Sequence, residues 1–549
     1  MSRRSRAWIP FLLAAAMLAG CGQQSSLAME RLNDKLTVAE PDDKNRTTYE
    51  IFVGSFADSN GDGIGDLNGI TQKLDYINGE GKNAGSGFNA IWLTPICEAT
   101  SYHKYDTIDY EKVDPDFGTI EDFDSLIEAC HERGIDVYTD MVMNHTSVEH
   151  PWFKEAASYL RNLPADREPD VKDCPYVDYY NFTKDQKDGY SKLAGTDWYY
   201  EARFWEGMPD LNLDSDAVRG ELTDIAQFWI DHGVDGFRLD ATTSYYTDSS
   251  KDTIAFLKWY NGMVKEKKPD AYLVGEAWTD QETYAEYYSS GVDSFFDFAY
   301  SGPEGLIAKM AKGKIDAVEF GKGLEEEEEL YTSYNPDAVN APFYTNHDLA
   351  RSAGYYSGDA SSRVKLADAL NLLMTGNAFV YYGEEIGMKG SGKDENKRAP
   401  MYWTGDEEDA DEDADLICDP PENMDKVEMK YPSAKEQEED PLSILNYYRN
   451  AEKIRNAYPA ISRGRTQVID SLSGETLLVF TRDDPEGTGT VLVIINTAEE
   501  AAVVDLDGAD LNGMKEPHLS AALQTTEENP TQEKTKVTIP AFGIVVLAE

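Results

Sequence analysis

Four segments of this 549-residue chain place polar residues directly after short apolar runs. They are 140–145, 236–241, 275–278 and 346–348, and they carry the carboxylates of Asp240, Glu276 and Asp348. In a barrel of parallel strands, chemistry takes place at the carboxyl ends of the strands. We therefore expect these segments to surround one cavity, with histidine and arginine among the carboxylates.

Three carboxylates around one cavity suit the hydrolysis of a glycosidic bond. One group must be protonated to assist the leaving oxygen, and another must be ionised to attack the anomeric carbon. In retaining enzymes these two groups lie about 5–5.5 Å apart. Asp240 and Glu276 follow successive apolar runs, and neighbouring strands are about 4.8 Å apart. This spacing permits a nucleophile and a general acid/base on adjacent strands.

Eight short apolar runs alternate with longer stretches of helical period. This pattern predicts an α/β fold, specifically a (β/α)8 TIM barrel. The predicted strands are 49–56, 90–95, 136–143, 236–239, 272–275, 294–298, 343–345 and 378–382. The predicted helices include 121–133, 218–232 and 252–267.

Two interruptions of this rhythm predict further domains. The segment after the third strand is too long for an ordinary barrel loop, so 146–209 is predicted to be a small inserted domain. From 464 to 549, short alternating runs separated by glycine and aspartate predict an antiparallel β-sandwich. The barrel then comprises residues 46–145 and 210–463.

The N-terminus has the features of an export signal. Arg3, Arg4 and Arg6 precede an apolar run that is too short to span a membrane. The run ends at 18–21 in Leu-Ala-Gly-Cys, which resembles a bacterial lipobox. This resemblance implies a lipoprotein signal peptide over 1–21, lipidation of Cys21, and a tether over 22–45. The protein would then lie on the extracellular face of the bacterial cell membrane and contact it only through the anchor. An ordinary signal peptide with a chance cysteine is the alternative.

The charge balance excludes one class of partner. The chain has 50 basic and 102 acidic residues and a net charge of −52, so a polyanion such as nucleic acid would be repelled. The acidic run 325–329 reads as a solvated face. Four cysteines remain after Cys21, namely Cys97, Cys130, Cys174 and Cys418. They lack the spacing of a zinc site, and their pairing stays open.

The four segments resemble, in order and spacing, the four signature regions of the α-amylase superfamily of glycoside hydrolases. That resemblance implies that Asp240 is the nucleophile and Glu276 the acid/base, and that Asp348 binds ring hydroxyls and stabilises the transition state. Arg238 would orient Asp240 and keep it ionised through charge-assisted hydrogen bonds. Tyr105 would stack on the reacting sugar. The other implied substrate-binding residues are His103, Asp106, His145, His347 and Arg351, the last at a position where exo-acting relatives often carry an arginine.

Further motifs extend the resemblance over nearly the whole chain from about residue 47. The sequence of 381–387, Tyr-Tyr-Gly-Glu-Glu-Ile-Gly, matches the eighth strand of the family, and 398–403, Arg-Ala-Pro-Met-Tyr-Trp, resembles a motif beside it. Met-Pro-Asp-Leu-Asn at 208–212 resembles the signature of the subgroup intermediate between neopullulanase-like and oligo-1,6-glucosidase-like enzymes. Lipid-anchored α-amylases occur in that subgroup.

A loop after the first strand predicts a calcium site. Asp58, Asn60, Asp62 and Asp66 supply oxygen donors at alternate positions, with glycines for the tight turn, and Ile64 would add its carbonyl. Glycine replaces the glutamate that an EF-hand needs, and the loop resembles one found in many members of the family. A metal-free turn is the alternative.

We therefore expect a monomeric, secreted, lipid-anchored α-amylase that acts on α-1,4 bonds of starch and maltooligosaccharides. One departure keeps another activity open. Many α-amylases carry Lys-His shortly after the nucleophile, but here Ala241 is followed by 242–245, Thr-Thr-Ser-Tyr. An oligosaccharide α-glucosidase, cutting α-1,4 or α-1,6 bonds, is the alternative. An inactive glucan-binding relative is disfavoured because all three carboxylates are kept.

Overall fold

The computed structural model describes residues 27–38, 44–79, 87–247, 249–358, 360–405, 416–484, 487 and 489–549. The predicted signal peptide and Cys21 lie outside these residues. The strands are β1 Thr47–Ile51, β2 Ala90–Leu93, β3 Cys97–Ala99, β4 Thr107–Val113, β5 Asp136–Met141, β6 Phe182–Thr183, β7 Tyr190–Lys192, β8 Tyr199–Glu201, β9 Gly236–Leu239, β10 Tyr272–Gly275, β11 Ser294–Phe295, β12 Ala378–Tyr381, β13 Arg465–Val468, β14 Leu477–Asp483, β15 Thr490–Asn496, β16 Ala502–Asp505, β17 His518–Leu523, β18 Thr531–Glu533, β19 Lys536–Ile539 and β20 Ile544–Ala548.

The α-helices alternate with the barrel strands and continue into the linker to the last domain. They are α1 Ala28–Asn33, α2 Leu67–Gln72, α3 Leu74–Asn78, α4 Ile120–His131, α5 Pro151–Asn162, α6 Asp216–Asp231, α7 Ser250–Lys267, α8 Gln281–Tyr287, α9 Leu306–Ala311, α10 Ala317–Tyr334, α11 Ser361–Leu372, α12 Asp394–Lys397, α13 Ala434–Glu438, α14 Ile444–Ala457 and α15 Pro459–Arg463. No helix in the described part of the chain has the length and apolarity to cross a membrane.

A parallel sheet forms the wall of the barrel, in the order β11-β10-β9-β5-β2-β1-β12. Residues of β1, β2, β9, β10 and β12 are buried throughout, as expected for strands covered by helices on one face and by core on the other. The fold is the predicted (β/α)8 barrel.

The predicted strand at 343–345 is present only as two isolated bridges. Ala341 pairs with Phe296, and Phe343 pairs with Phe379 of β12. The segment 341–343 therefore occupies the gap between the end strands and closes the barrel, slightly earlier in the chain than predicted. Large side chains, among them Trp92 and Tyr272, pack together in the interior of the barrel.

The segment inserted after β5 forms a small layer beside the barrel mouth. It contains α5 and the three-stranded antiparallel sheet β6-β8-β7. The chain returns to the barrel at Asp210, which bridges to His145, and Leu211 N–H donates to Asn144 O at 2.8 Å. The insertion is thereby held against the end of β5.

The C-terminal region consists of two antiparallel sheets, β13-β14-β15-β20-β17 and β16-β19-β18. Helix α10 of the barrel packs along the edge strand β13. Glu328 accepts the backbone N–H of Thr466 at 2.8 Å, and Glu325 accepts that of Val468 at 2.7 Å. Glutamates of the acidic run therefore accept backbone N–H groups of the edge strand β13. The interpretation of this run as a solvated face is wrong for these side chains.

The predicted tether over 22–45 is wrong for residues 28–33, which form helix α1. Met29 and Asn33 are fully buried between α14 and β17. The Asn33 side chain donates to Ala522 O at 2.9 Å and accepts from Ala522 N at 3.2 Å. The sequence does not predict this contact, because the segment is rich in polar residues and only Ala28, Met29 and Asn33 of α1 are buried. The four cysteines of the described residues are buried free thiols.

Candidate active site

The three carboxylates predicted to act on substrate lie at the carboxyl ends of barrel strands. Asp240 follows β9, and Glu276 follows β10. Ala241 adopts a left-handed backbone, with φ of 48°. This turn directs the Ala241 N–H to Glu276 Oε2 at 2.9 Å, and the Thr242 hydroxyl donates to Glu276 O at 2.6 Å. The two strand ends are therefore fixed to each other.

Arg238 connects three carboxylates at the bottom of the site. Its Nη1 lies 2.6 Å from Asp240 Oδ1 and 2.9 Å from Asp140 Oδ1, and its Nη2 lies 3.2 Å from Glu276 Oε2. The guanidinium is 1% exposed and faces the ring of Trp92 at 5.1 Å. A planar guanidinium can hold several carboxylates in one geometry because its N–H groups point outward in a rigid fork.

Burial dominates the electrostatics of the two central carboxyl groups. It raises the pKa of Glu276, and the neighbouring charges of Asp240 and Asp348 raise it further, while Arg238 opposes both effects. Burial also raises the pKa of Asp240, but here the ion pair and hydrogen bond from Arg238 act against it. A protonated Glu276 beside an ionised Asp240 is the division of roles that glycoside hydrolysis needs.

Asp348 stands in a strongly positive environment. Its Oδ1 lies 2.9 Å from Arg398 Nη2, and its Oδ2 lies 3.1 Å from His347 Nε2. Although burial alone would raise its pKa, His347 and Arg398 hold the pKa of Asp348 well below the usual range. This carboxylate is therefore ionised at neutral pH.

The loop after β2 brings Tyr105 and His103 to the site. The Tyr105 hydroxyl donates to Asp140 Oδ2 at 3.0 Å, and its ring is stacked on that of His347 at 5.5 Å. His103 Nδ1 accepts from the Tyr105 N–H at 3.2 Å, which leaves Nε2 as the nitrogen that can face a hydroxyl. Burial lowers the pKa of His103 to about 4, so the ring is neutral.

Asp106 does not line the cleft, contrary to the prediction. It is 1% exposed and accepts hydrogen bonds from Thr100 and from the N–H and hydroxyl of Ser101. These hydrogen bonds hold the loop over 100–106, so Asp106 supports the loop that carries Tyr105.

His145 is nearly enclosed where the inserted domain meets the barrel. Its Nε2 lies 3.2 Å from the Tyr105 carbonyl, and its ring is 5.1 Å from that of Phe204. Burial lowers the pKa of His145 to about 4. A neutral ring with one nitrogen committed to Tyr105 leaves little of His145 for a sugar hydroxyl.

His347, which the resemblance implies to be a ligand of the reacting sugar, is enclosed in the structure, and its contact with the sugar stays a prediction. The residue is 0% exposed. Its Nδ1 lies 2.5 Å from Glu50 Oε1, and its Nε2 lies 2.8 Å from the Tyr105 hydroxyl. Both ring nitrogens are committed within the protein, so a sugar hydroxyl would have to displace one of these partners.

Arg351, which the resemblance implies to be a substrate-binding residue and which is the candidate for a clamp on the end of a glucan chain, lies beneath the rim of the site. It is 1% exposed, donates from Nε to Lys397 O at 2.8 Å and from Nη1 to Tyr382 O at 2.5 Å, and lies over the ring of Tyr381 at 4.4 Å. Its guanidinium satisfies backbone carbonyls beneath the rim. In this arrangement Arg351 supports the backbone beneath the rim, and its guanidinium is not exposed to a substrate chain.

The predicted calcium loop is wrapped around Asp58. Asp58 Oδ1 accepts the Gly61 N–H at 2.7 Å, and Oδ2 accepts the Gly63 N–H at 2.7 Å. Asp66 accepts the Gly69 N–H at 2.8 Å and so caps α2. Over the described ranges, no three acidic, histidine or cysteine side chains are grouped as a metal site.

The residue types of this loop nevertheless fit calcium. A carboxylate has about four lone-pair positions, so the N–H contacts to Asp58 leave acceptor capacity. Carboxylate, amide and carbonyl oxygens from Asp58, Asn60, Asp62 and Ile64 are the hard donors that Ca²⁺ takes. Asp66 would join them only by turning from its contacts with Ser59, which donates from N to Oδ2 at 2.9 Å. Calcium binding stays a prediction.

Sequence reasoning missed the roles of three residues that hold the site together. Arg398 binds Asp348, Asp140 binds Arg238, and Glu50 binds His347. The sequence indicates Arg398 only as part of a motif and Asp140 only as the end of a strand. A signal for Glu50 existed, because a lone acid within an otherwise apolar strand must find a partner in the barrel interior.

Aromatic rings flank the opening of the site. Trp278, two residues after Glu276, is 54% exposed and stacked on Phe298 with ring centroids 5.1 Å apart. Phe204 and Trp205 of the inserted domain are 51% and 55% exposed. Exposed rings beside a polar cleft can stack on the apolar faces of sugars.

Comparison with known proteins agrees with this geometry. A family model described as the catalytic domain of alpha amylase matches residues 50–464. "Alpha-amylase 3" of Dictyoglomus thermophilum is 41% identical over 436 residues, which cover 78% of this chain and 81% of that protein. An oligo-1,6-glucosidase of Heyndrickxia coagulans is 30% identical over 550 residues, covering 84% and 93% of the two chains.

Two solved structures extend the similarity to the whole fold. Eubacterium rectale Amy13B superposes with a TM-score of 0.90 at 47% identity and covers 95% of this chain and 99% of its own. An alpha-amylase from H. orenii superposes with a TM-score of 0.77 at 33% identity, covering 92% and 100%.

Proposed function

The chain belongs to the α-amylase family of glycoside hydrolases, and from this premise we propose that it is an endo-acting α-amylase. It would hydrolyse α-1,4-glucosidic bonds of starch and maltodextrins with retention of configuration. One observation carries the proposal: the buried carboxylates of Asp240 and Glu276 share the guanidinium of Arg238. Two carboxylates on one guanidinium lie close together, which suits the spacing of retaining enzymes (about 5–5.5 Å) better than the about 6.5–9.5 Å of inverting ones.

The proposed reaction has two steps. Glu276 gives its proton to the glycosidic oxygen as that bond breaks, and an oxygen of Asp240 forms a bond to the anomeric carbon. Glu276, now a carboxylate, then takes a proton from water, and the oxygen of that water replaces Asp240. Asp348 would hold ring hydroxyls and stabilise the positive charge that develops on the sugar.

Endo action is supported by what Arg351 does in the structure. An exo-acting enzyme needs a group that closes the cleft or binds the chain end, and Arg351 was the candidate. Its guanidinium is buried and bound to the carbonyls of Lys397 and Tyr382. Identity also favours an α-amylase, at 41% to the Dictyoglomus enzyme against 30% to the oligo-1,6-glucosidase.

An oligosaccharide α-glucosidase is the second candidate. The observation that favours it is the absence of the Lys-His pair, since Thr242 and Thr243 stand after Ala241. A site without that cation would bind the leaving glucan through other groups, and the exposed ring of Trp278, two residues after Glu276, is a candidate.

Product analysis on amylose, maltose and isomaltose separates the two candidates. We expect iodine staining of amylose to fall rapidly while few reducing ends are released, with mixed maltooligosaccharides as products. Glucose as the sole early product, with staining barely changed, would identify an α-glucosidase. Release of glucose from isomaltose would add α-1,6 activity.

We also propose that the loop from Asp58 to Asp66 binds Ca²⁺. Support comes from the donor types and from the loop's backbone, which already curls around the Asp58 carboxylate. The ion would hold the loop against the end of β1, and it would take no part in the bond-breaking steps.

Location at the extracellular face of the bacterial cell membrane is a proposal from the sequence. Lipidation of Cys21, followed by a short link to the folded chain at Leu27, would anchor the enzyme as a monomer beside polymers too large to import. Labelling with a lipid precursor, compared between the parent chain and Cys21→Ser, tests it. Loss of label and release into the medium are expected for the variant.

A further inference from the structure

Glu50 is an acid placed inside the barrel. It lies in β1 between Tyr49 and Ile51 and is 1% exposed. Its Oε1 accepts the backbone N–H of His347 at 3.2 Å and faces Nδ1 of the same residue at 2.5 Å. Glu50 therefore holds His347 through both main chain and side chain.

The opposite nitrogen of His347 faces the cleft side. Nε2 lies 3.1 Å from Asp348 Oδ2 and 2.8 Å from the Tyr105 hydroxyl. The Tyr105 hydroxyl already donates its one proton to Asp140 Oδ2 at 3.0 Å. Tyr105 therefore acts as an acceptor toward His347, and Asp348 can only accept.

These contacts determine the protonation of His347. With Nδ1–H directed to Glu50, a neutral ring would present the lone pair of Nε2 to Asp348 and to the oxygen of Tyr105. That arrangement places acceptors against acceptors. A doubly protonated ring donates on both sides and satisfies every contact.

We propose that Glu50 is a positioning residue that keeps His347 as an imidazolium, and that through this cation it fixes the ionised carboxylate of Asp348 in its catalytic orientation. The inference rests on the proposed function, because it assigns Asp348 a role in glycoside hydrolysis.

The charges around His347 agree with this assignment. Burial alone would lower the pKa of His347, but the charges of Asp348 and Glu50 raise this pKa to about 10. The groups that face it from the surrounding elements are Glu50 of β1, Tyr105 of the loop after β2, Asp140 of β5, Arg238 of β9, Asp240 after β9, Asp348 beside it, and Arg398, whose Nε donates to the His347 carbonyl. The carboxylates favour the cation and the two arginines oppose it.

Glu50→Gln removes the negative charge with little change of shape. NMR of protein labelled with ¹³C-histidine, which has seven histidines, reports the protonation of His347 once its signal is assigned with His347→Gln. In the parent chain we expect His347 to stay charged from pH 5 to 8.5. In Glu50→Gln we expect its pKa to fall by about 1–3, as for loss of one close opposite charge.

The pH dependence of kcat/KM should change together with the pKa of His347. In the parent chain we expect loss of the Glu276 proton to set the alkaline limb. In Glu50→Gln, His347 becomes neutral at a lower pH, so Asp348 loses its cation and the alkaline limb moves down. An unchanged alkaline limb together with an unchanged His347 signal in the variant would overturn the proposal.

Two further variants separate this role from a general effect on the barrel. Glu385→Gln neutralises another buried acid, whose partner Tyr49 is the neighbour of Glu50 in β1, and it should leave the His347 signal unchanged. Glu50→Asp keeps the charge and should keep His347 protonated. An equal shift in Glu385→Gln contradicts the assignment.

If Glu50→Gln does not fold, the His347 signal of the parent chain alone tests the proposal. A His347 signal that is neutral at pH 7 would overturn the proposal, and a charged one supports it. This readout does not depend on turnover. Absence of α-glucan hydrolysis by the parent chain would instead count against the proposed function.

Discussion

The Arg238 guanidinium lies 2.6 Å from the carboxylate of Asp240, two residues further along the chain. Residues two apart at the end of a strand project to the same side, so β9 delivers the carboxylate and its cation together. The same guanidinium reaches Glu276 from the neighbouring strand. One side chain therefore controls both the orientation and the ionisation of the two central carboxyl groups.

Arg238→Lys should keep a charge but lose the fork that reaches two carboxylates. We expect kcat to fall on the order of 10²–10³-fold, as for loss of a preorganised donor. Because Arg238 lowers the pKa of Asp240, a weaker partner raises that pKa and moves the acid limb of kcat/KM to higher pH. Arg167→Lys, at an exposed ion pair, is the control. An acid limb that stays in place would contradict this assignment.

Asp240→Asn and Glu276→Gln should each nearly abolish hydrolysis of starch, since members of a cooperating set fail together. Glu276→Gln should still release the leaving group of an activated aryl glycoside in a first burst, because that group needs little protonation. For the parent chain, NMR of fresh hydrolysate should show the α-anomer first. An initial β-anomer would rule out Asp240 as nucleophile.

The sequence predicted the barrel and the three carboxylates because both depend on local patterns. Apolar runs with the length of strands mark the barrel, and a polar residue just after each run marks the functional edge. The positions of Asp240, Glu276 and Asp348 just after such runs are sufficient to predict that the three carboxylates lie close together.

Contacts between distant segments could not be predicted in the same way. Arg351 lies three residues past Asp348, yet its side chain turns under the rim toward the Tyr382 carbonyl, and no local pattern shows that direction. Glu50 and His347 are separated by 297 positions in the chain. Such pairings are set by the closure of the barrel, which determines which interior side chains face each other.

Arg351→Met should lower the melting temperature without altering the product pattern. The substitution removes donors from the carbonyls of Lys397 and Tyr382, and a buried acceptor left without a partner costs about 1–3 kcal/mol. Chromatography of amylose digests, together with thermal unfolding, tests this. Products that shift in length while the melting temperature is unchanged would restore Arg351 as a substrate clamp.

The segment that forms α1 should contribute to stability although it lies outside the barrel. A chain beginning at Lys44 loses Met29 and Asn33 from the seam between α14 and β17. Burial of one methionine contributes about 1.5–3 kcal/mol, so we expect a lower melting temperature. A chain beginning at Leu27 is the matched control and should match the full-length protein. Equal melting temperatures for both truncated chains would show that the helix is dispensable.

Calcium should raise the melting temperature of metal-free protein, because a ligand that binds only the folded state stabilises it by mass action. The gain is about 2.7 kcal/mol at a calcium concentration of 100 times Kd.

Asp62→Asn is the variant that tests the calcium site most directly. Asp62 is exposed and accepts only the Ile64 N–H among its described hydrogen bonds, at 2.9 Å, and asparagine can keep that bond while removing the charge. In chelator, the variant and the parent chain should therefore melt together, since neither loop holds an ion. With calcium added, the parent chain should gain more stability than the variant, because the variant presents one carboxylate fewer to the ion. Scanning calorimetry across a calcium titration measures both effects. If metal-free parent protein melts at the same temperature with and without calcium, the loop is a turn held by its own hydrogen bonds, and the proposed site has to be abandoned.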